Sequence, residues 1–129
     1  MKKYERIIKK YLKERHWDDL RPGDLAKSVA IEAGELLEIF QWTNQSLAEV
    51  KKDKEKIAKI KSELADVLNY CFEISVLLNL DTEKLLMEKL KKVKAKYPAH
   101  LFKNRPKNVD AGSEDIYWQI KKEHRMKGE

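Results

Sequence analysis

The chain has 129 residues, enough for one domain with a moderate core. It is 39% charged and 42% hydrophobic, with only four Gly and three Pro, which suits a helix-rich protein with few tight turns. No apolar run approaches the ~20 residues of a bilayer span, so no membrane association is expected. The opening Met1-Lys-Lys-Tyr-Glu-Arg6 leads into an amphipathic stretch, not the apolar core of a signal peptide, and a cytoplasmic location is the expectation. The net charge of +6 suits a nucleic acid or a small polyphosphate. The lysines are spread along 51–61, 84–96 and 103–127 among acids and apolar residues, so most read as solvated helix faces and nucleic acid is the weaker partner.

Residues 3–15 carry Tyr4, Ile7, Ile8, Tyr11 and Leu12, the stripe of an amphipathic helix. Pro22 and Gly23 break it, and Asp24 is the predicted N-cap of a second helix from about Leu25 to Trp42. Gly34 inside that helix costs ~1 kcal/mol relative to Ala. Its missing side chain would let another helix or a ligand approach. Ser46 with Glu49 reads as a capping box, and the helical pattern then runs to Leu80 with a bend near Asp53. The lone Cys71 falls on an apolar flank of this helix, which predicts a buried, inert thiol in a reducing compartment.

Asp81 or Thr82 caps a fourth helix, which carries Leu85, Leu86, Leu90 and Val93 inward until Tyr97-Pro98 stops it near Lys96. Residues 98–113, with Pro98, Pro106 and Gly112, read as a surface excursion. Ser113 then caps a short segment with Ile116, Tyr117, Trp118 and Ile120, whose apolar side is too small to be stable alone. No stretch alternates with period two and no repeat is evident. The reading is all-α, with four core helices and a C-terminal extension.

Two acidic pairs stand out, Glu32-Ala-Gly-Glu35 and Glu63-Leu-Ala-Asp66. Acids three apart project from nearly the same side of a helix. At about 100° per residue, Leu25, Val29, Leu36 and Ile39 fall within about 60° of Glu32, and Ile60, Val67, Tyr70, Ile74 and Leu77 lie on the side of Glu63. Acids in core-facing stripes are costly unless their charge is compensated, and four of them converging would repel one another. A divalent cation answers both problems, and hard carboxylate donors favour Mg²⁺ or Mn²⁺ over zinc. Mg²⁺ is commonly shared with substrate phosphates, which points to a nucleotide polyphosphate. Trp17, Trp42 and Tyr70 could stack on a base, or they could be core or interface packing. Against the metal reading, such pairs are common on helix surfaces, and Lys59–Glu63 could be an ordinary ion pair. His16 reads as structural or solvent-facing. Lys89, Lys92 and Lys96 read most simply as a solvated face.

Taken in order, Arg15-x-Trp17, Leu25-Ala26, Glu32-Ala-Gly-Glu35-Leu-Leu-Glu38-Ile-Phe-Gln-Trp42, Glu63-Leu-Ala-Asp66-Val-Leu-Asn-Tyr70 and Lys89-Leu…Lys96-Tyr97-Pro98 resemble the MazG-like nucleotide pyrophosphohydrolases. The resemblance covers about residues 7–100 and is greatest to the short single-domain branch that includes the dCTP pyrophosphatases. It implies a domain over residues 1–100 with a four-helix-bundle-like fold, followed by an extension over 101–129. It implies a homodimer or homotetramer and Mg²⁺-dependent cleavage of a (deoxy)nucleoside triphosphate to monophosphate and pyrophosphate, a house-cleaning activity on the nucleotide pool. By position, Glu32, Glu35, Glu63 and Asp66 would hold metal. Trp17, Trp42 and Tyr70 would hold base and sugar, and Lys89 and Lys96 the phosphates. Glu35 or Glu38 would activate the attacking water. The chain departs from the pattern at Val93, where relatives usually carry Asn, and at His16, where they usually carry Asp or Asn. A catalytically weak nucleotide-binding or regulatory module is the competing expectation.

Overall fold

The structure is a computed structural model that describes residues 1–104 and 116–128. Among these residues six α-helices follow one another: α1 (Lys2–Glu14), α2 (Pro22–Glu38), α3 (Leu47–Lys52), α4 (Lys54–Leu77), α5 (Thr82–Lys96) and α6 (Ile116–Met126). A 3-10 turn, Ala99–Phe102, lies between the last two. Among the described residues there is no strand, so the all-α expectation holds.

The chain forms two compact units, Met1–Glu83 and Lys84–Glu129. In the first, α4 is the central element, and α1, α2 and α3 all pack against it, α2 most extensively. The apolar core is small: Ile8 and Leu12 from the stripe of α1 and Leu25 of α2 are buried. In the second unit, Tyr97 at the end of α5 stacks on Tyr117 of α6 with ring centroids 5.0 Å apart. Tyr97 also meets the edge of Phe102 at 6.3 Å. The C-terminal segment thus finds an aromatic partner within its own unit. The expected Ser113 cap, and Pro106 and Gly112 of the excursion before it, lie outside the described residues.

Local chemistry sets the boundaries. α1 closes in a Schellman motif: His16 takes a left-handed φ of 56°, its N–H donates to the Lys13 carbonyl at 3.1 Å, and the Trp17 N–H donates to the Leu12 carbonyl at 2.9 Å. This closure brings the Trp17 ring to the Tyr11 ring, edge-on at 5.8 Å. His16 is therefore structural, as expected. α4 ends in the same way with Asn79 at φ 52°, three residues short of the expected Leu80. The capping box of α3 has both arms, Glu49 N–H to Ser46 Oγ at 3.3 Å and Ser46 N–H to Glu49 Oε2 at 2.7 Å. The bend expected at Asp53 is a full break, because that residue adopts an extended ψ of 90° and caps α4 through the Lys56 N–H. At the far end, the Thr82 N–H donates to Glu5 Oε1 at 2.9 Å and its hydroxyl bonds Ser75 at 2.6 Å.

Four expectations need correction. α2 starts at Pro22, which needs no N–H partner at the first helical position, so Asp24 lies in the first turn and is not the cap. α2 also ends at Glu38, not Trp42. Cys71 is exposed, because no described element covers that flank of α4. A Cβ built on Gly34 would meet nothing within 4 Å, so no described helix approaches there.

Two stability changes follow. Gly34→Ala should stabilise the fold by about 0.5–1 kcal/mol in urea unfolding, through helix propensity alone. His16→Gly should be neutral or stabilising by a few tenths, whereas His16→Val should destabilise by about 1–2 kcal/mol, because a β-branched residue resists the left-handed region. Equal effects of the two His16 changes would contradict the role given to that turn.

Candidate metal centre and adjoining cavity

The packing of α2 on α4 brings the two acidic pairs together. Glu32, Glu63 and Asp66 each place one carboxylate oxygen within 4.8 Å of the other two. All three side chains are half-buried. Glu35, which is exposed, lies within hydrogen-bonding reach of both Glu32 and Glu63. Lys59 does not screen the cluster through Glu63; its ammonium pairs with Glu55 at 3.4 Å, one turn earlier. Glu63 Oε2 is fully buried and has no hydrogen-bond partner among the described residues.

Crowding of like charge has the expected electrostatic result. The Glu32 pKa is raised, first by the hydrogen bond shared with Glu35, then by burial and by the negative charges of Glu35, Asp66 and Glu63. The Glu63 pKa is raised chiefly by burial, then by the hydrogen bond to Glu35 and the charges of Glu35, Asp66 and Glu38. The donors are all hard oxygens, and one of them is buried without a partner. Such a set fits a hard divalent cation.

A cavity of about 670 Å³ adjoins the cluster, with Asp66 common to both. Trp17, Tyr70, Tyr11 and Leu25 supply its flat and apolar walls, and Asn69 and Glu73 its polar ones. Two of the three aromatics proposed for a base therefore sit beside the acids. Trp42 does not: α2 stops four residues before it, and its side chain is 87% exposed. Glu38 is exposed and borders a separate pocket with Lys56 and Lys59, although its charge acts on Glu63. Lys89 and Lys96 line a cavity of the second unit together with Lys92, Val93, Tyr117 and His124. Val93 contributes an apolar side chain to that wall.

Sequence reasoning missed Glu73. It is buried, only 7% exposed, and burial pushes its pKa up. A helical count would have found it, since it lies seven residues after Asp66 and so on the same face of α4.

Comparison with known proteins agrees with this architecture. The fold matches the crystal structure of a pyrophosphatase from Archaeoglobus fulgidus with a TM-score of 0.64 and 33% identity, over 76% of this chain and 92% of that one. Residues 27–110 match the model of the MazG-like family, and the chain belongs to that family. Among curated relatives, dCTP pyrophosphatase 1 of Homo sapiens is 30% identical over 98 residues, and that of Rattus norvegicus is 29% identical over 99. Each alignment covers 74% of this chain and 58% of the relative, so the chain spans less than two thirds of those proteins' length.

The raised acids give the cluster a sign that can be measured. The folded chain holds these protons more tightly than the unfolded chain, so stability should fall as pH rises above the ordinary carboxylate range. Thermal melts in chelator should show that fall as pH rises through and beyond the ordinary carboxylate range. Added Mg²⁺ should reverse it, and Glu63→Gln should flatten both responses. A melting temperature in the variant that still rises with Mg²⁺ as in the parent would place the cation elsewhere.

Proposed function

We propose that this protein hydrolyses (deoxy)nucleoside triphosphates to monophosphate and pyrophosphate with Mg²⁺ as cofactor, Mn²⁺ being able to replace it. The observation that carries the reading is the trio Glu32, Glu63 and Asp66 with its orphaned Glu63 oxygen, opening onto a cavity walled by Trp17 and Tyr70. The relatives are named dCTP pyrophosphatases and the solved neighbour a pyrophosphatase, which supports the same chemistry. The catalytic domain is residues 1–100, and a role in the cytoplasm clearing unwanted nucleotides fits it.

Glu32, Glu63 and Asp66 would hold the cation, with Glu35 as a fourth donor. When bound, the cation offsets the triphosphate's charge and draws electron density from the α-phosphorus. Trp17 and Tyr70 hold the base against their rings. A water attacks the α-phosphorus, the bond from that phosphorus to the bridging oxygen breaks, and pyrophosphate leaves. Glu35, open to solvent beside Glu32 and Glu63, accepts the water's proton; Glu38 is the alternative base. Lys89 and Lys96 keep the phosphate role that the resemblance implies, and the cationic cavity of their own unit suits an anion.

The assay is a panel of nucleoside triphosphates with Mg²⁺ in ¹⁸O-water. The label should appear in the monophosphate, and Glu63→Gln should lower kcat by about 100-fold or more. Release of orthophosphate and diphosphate would refute the assigned bond.

The chain also leaves Ile7, Ile31, Leu37, Leu64 and Leu68 exposed on the first unit. Large apolar side chains left exposed on α1, α2 and α4 fit burial between copies, as a homodimer or homotetramer. Light scattering after size exclusion should give two or four times the 15.3 kDa chain mass, and a monomer at micromolar concentration would contradict this.

A further inference from the structure

The cavity beside the acids has an unusual wall. Asp24, Asp66 and Glu73 line it, and among the described residues no Lys or Arg does. Most of its polar side chains are already occupied. Asp24 pairs with Lys27 at 3.4 Å, Ser28 donates to the Asp24 carbonyl at 3.3 Å, and Asn69 accepts from the Tyr4 hydroxyl. Asp66 belongs to the acid trio. Glu73 differs, because it is more than nine-tenths buried and its carboxyl makes no hydrogen bond or ion pair among the described residues.

The Glu73 side chain is mostly withdrawn from water, and its carboxyl borders the cavity without a partner among the described residues, a deficit that a ligand donor would relieve. Burial pushes the Glu73 pKa up, in keeping with that loss. Glu73 also lies at a useful distance from the acid trio. Seven residues separate it from Asp66, two turns of α4, or about 10.5 Å along the helix axis. A nucleotide whose phosphates sit at the acids and whose ring lies between Trp17 and Tyr70 would direct the far edge of its base toward that end of the cavity.

We propose that Glu73 is the specificity-determining residue of this cavity and that it accepts a hydrogen bond from the exocyclic amino group of the base. This rests on the nucleotide reading of the site. The ligand chemistry is an amino group beside a ring nitrogen, as in a 4-aminopyrimidine or a 6-aminopurine. An oxo group at the same position offers no proton and turns a second acceptor toward the carboxyl. The acid-lined, cation-free wall favours the same edge.

The test measures binding, not turnover. Calorimetry with the full chain compares dCMP with dUMP, and dAMP with dIMP; each pair differs by amino against oxo, and the two pairs distinguish pyrimidine from purine. The parent should prefer the amino member of at least one pair by about 10–100-fold, the range expected for leaving a buried polar group unsatisfied. Glu73→Leu should abolish the preference by weakening the amino member, and Glu73→Gln, which keeps an acceptor, should retain part of it. Equal affinities within both pairs for the parent, or an unchanged ratio in Glu73→Leu, would overturn the inference. Because hydrolysis does not enter this readout, triphosphate cleavage without base selection would remove this inference and leave the proposed reaction standing. Selection of the amino member without cleavage would do the reverse.

Discussion

The packing of α2 along α4 is the constraint on which the rest of the molecule depends. It faces Glu32 and Glu35 toward Glu63 and Asp66, in a region too crowded for full hydration and too acidic for easy charge. A fold selected for stability alone would put apolar residues there, since a half-satisfied polar cluster is worse than none. The oxygens of Glu32, Glu63 and Asp66 lie close enough together for one cation to meet all three. In the proposed reading, the local energetic deficit and the capacity to bind an ion are one feature.

α4 carries more than its share of this design. One face of it presents Glu63 and Asp66 to α2, then Tyr70 and Glu73 to the adjoining cavity. In the proposed reading, charge for the phosphate end and shape for the base end come from one rigid element, with relative positions fixed by helical geometry. The left-handed turn at His16 positions another wall of that cavity, because the same backbone bonds that close α1 set where Trp17 begins.

Much of this was legible in the residues. The stripe of α1, the Ser46–Glu49 box and the stop at Tyr97-Pro98 follow from local rules that tertiary contacts did not overturn. The acid trio was legible for a different reason: carboxylates at core positions violate the hydrophobic pattern, and such violations mark function. What could not be read depends on neighbours distant in sequence. The exposure of Trp42 and Cys71 and the open space at Gly34 depend on which elements come near them, and no periodicity within one helix contains that information. Glu73 was hidden because one acid in an apolar stripe looks like noise until a cavity gives it a context.

The Thr82 node has a consequence for handling the protein. Its amide is held by Glu5 and its hydroxyl by Ser75, so the chain's fifth residue is in mechanical contact with the place where α5 begins. An N-terminal trim or a bulky fusion placed directly before α1 would be transmitted across 77 residues of sequence to that junction. Affinity handles belong after α6, or behind a spacer long enough to leave the first helical turn undisturbed.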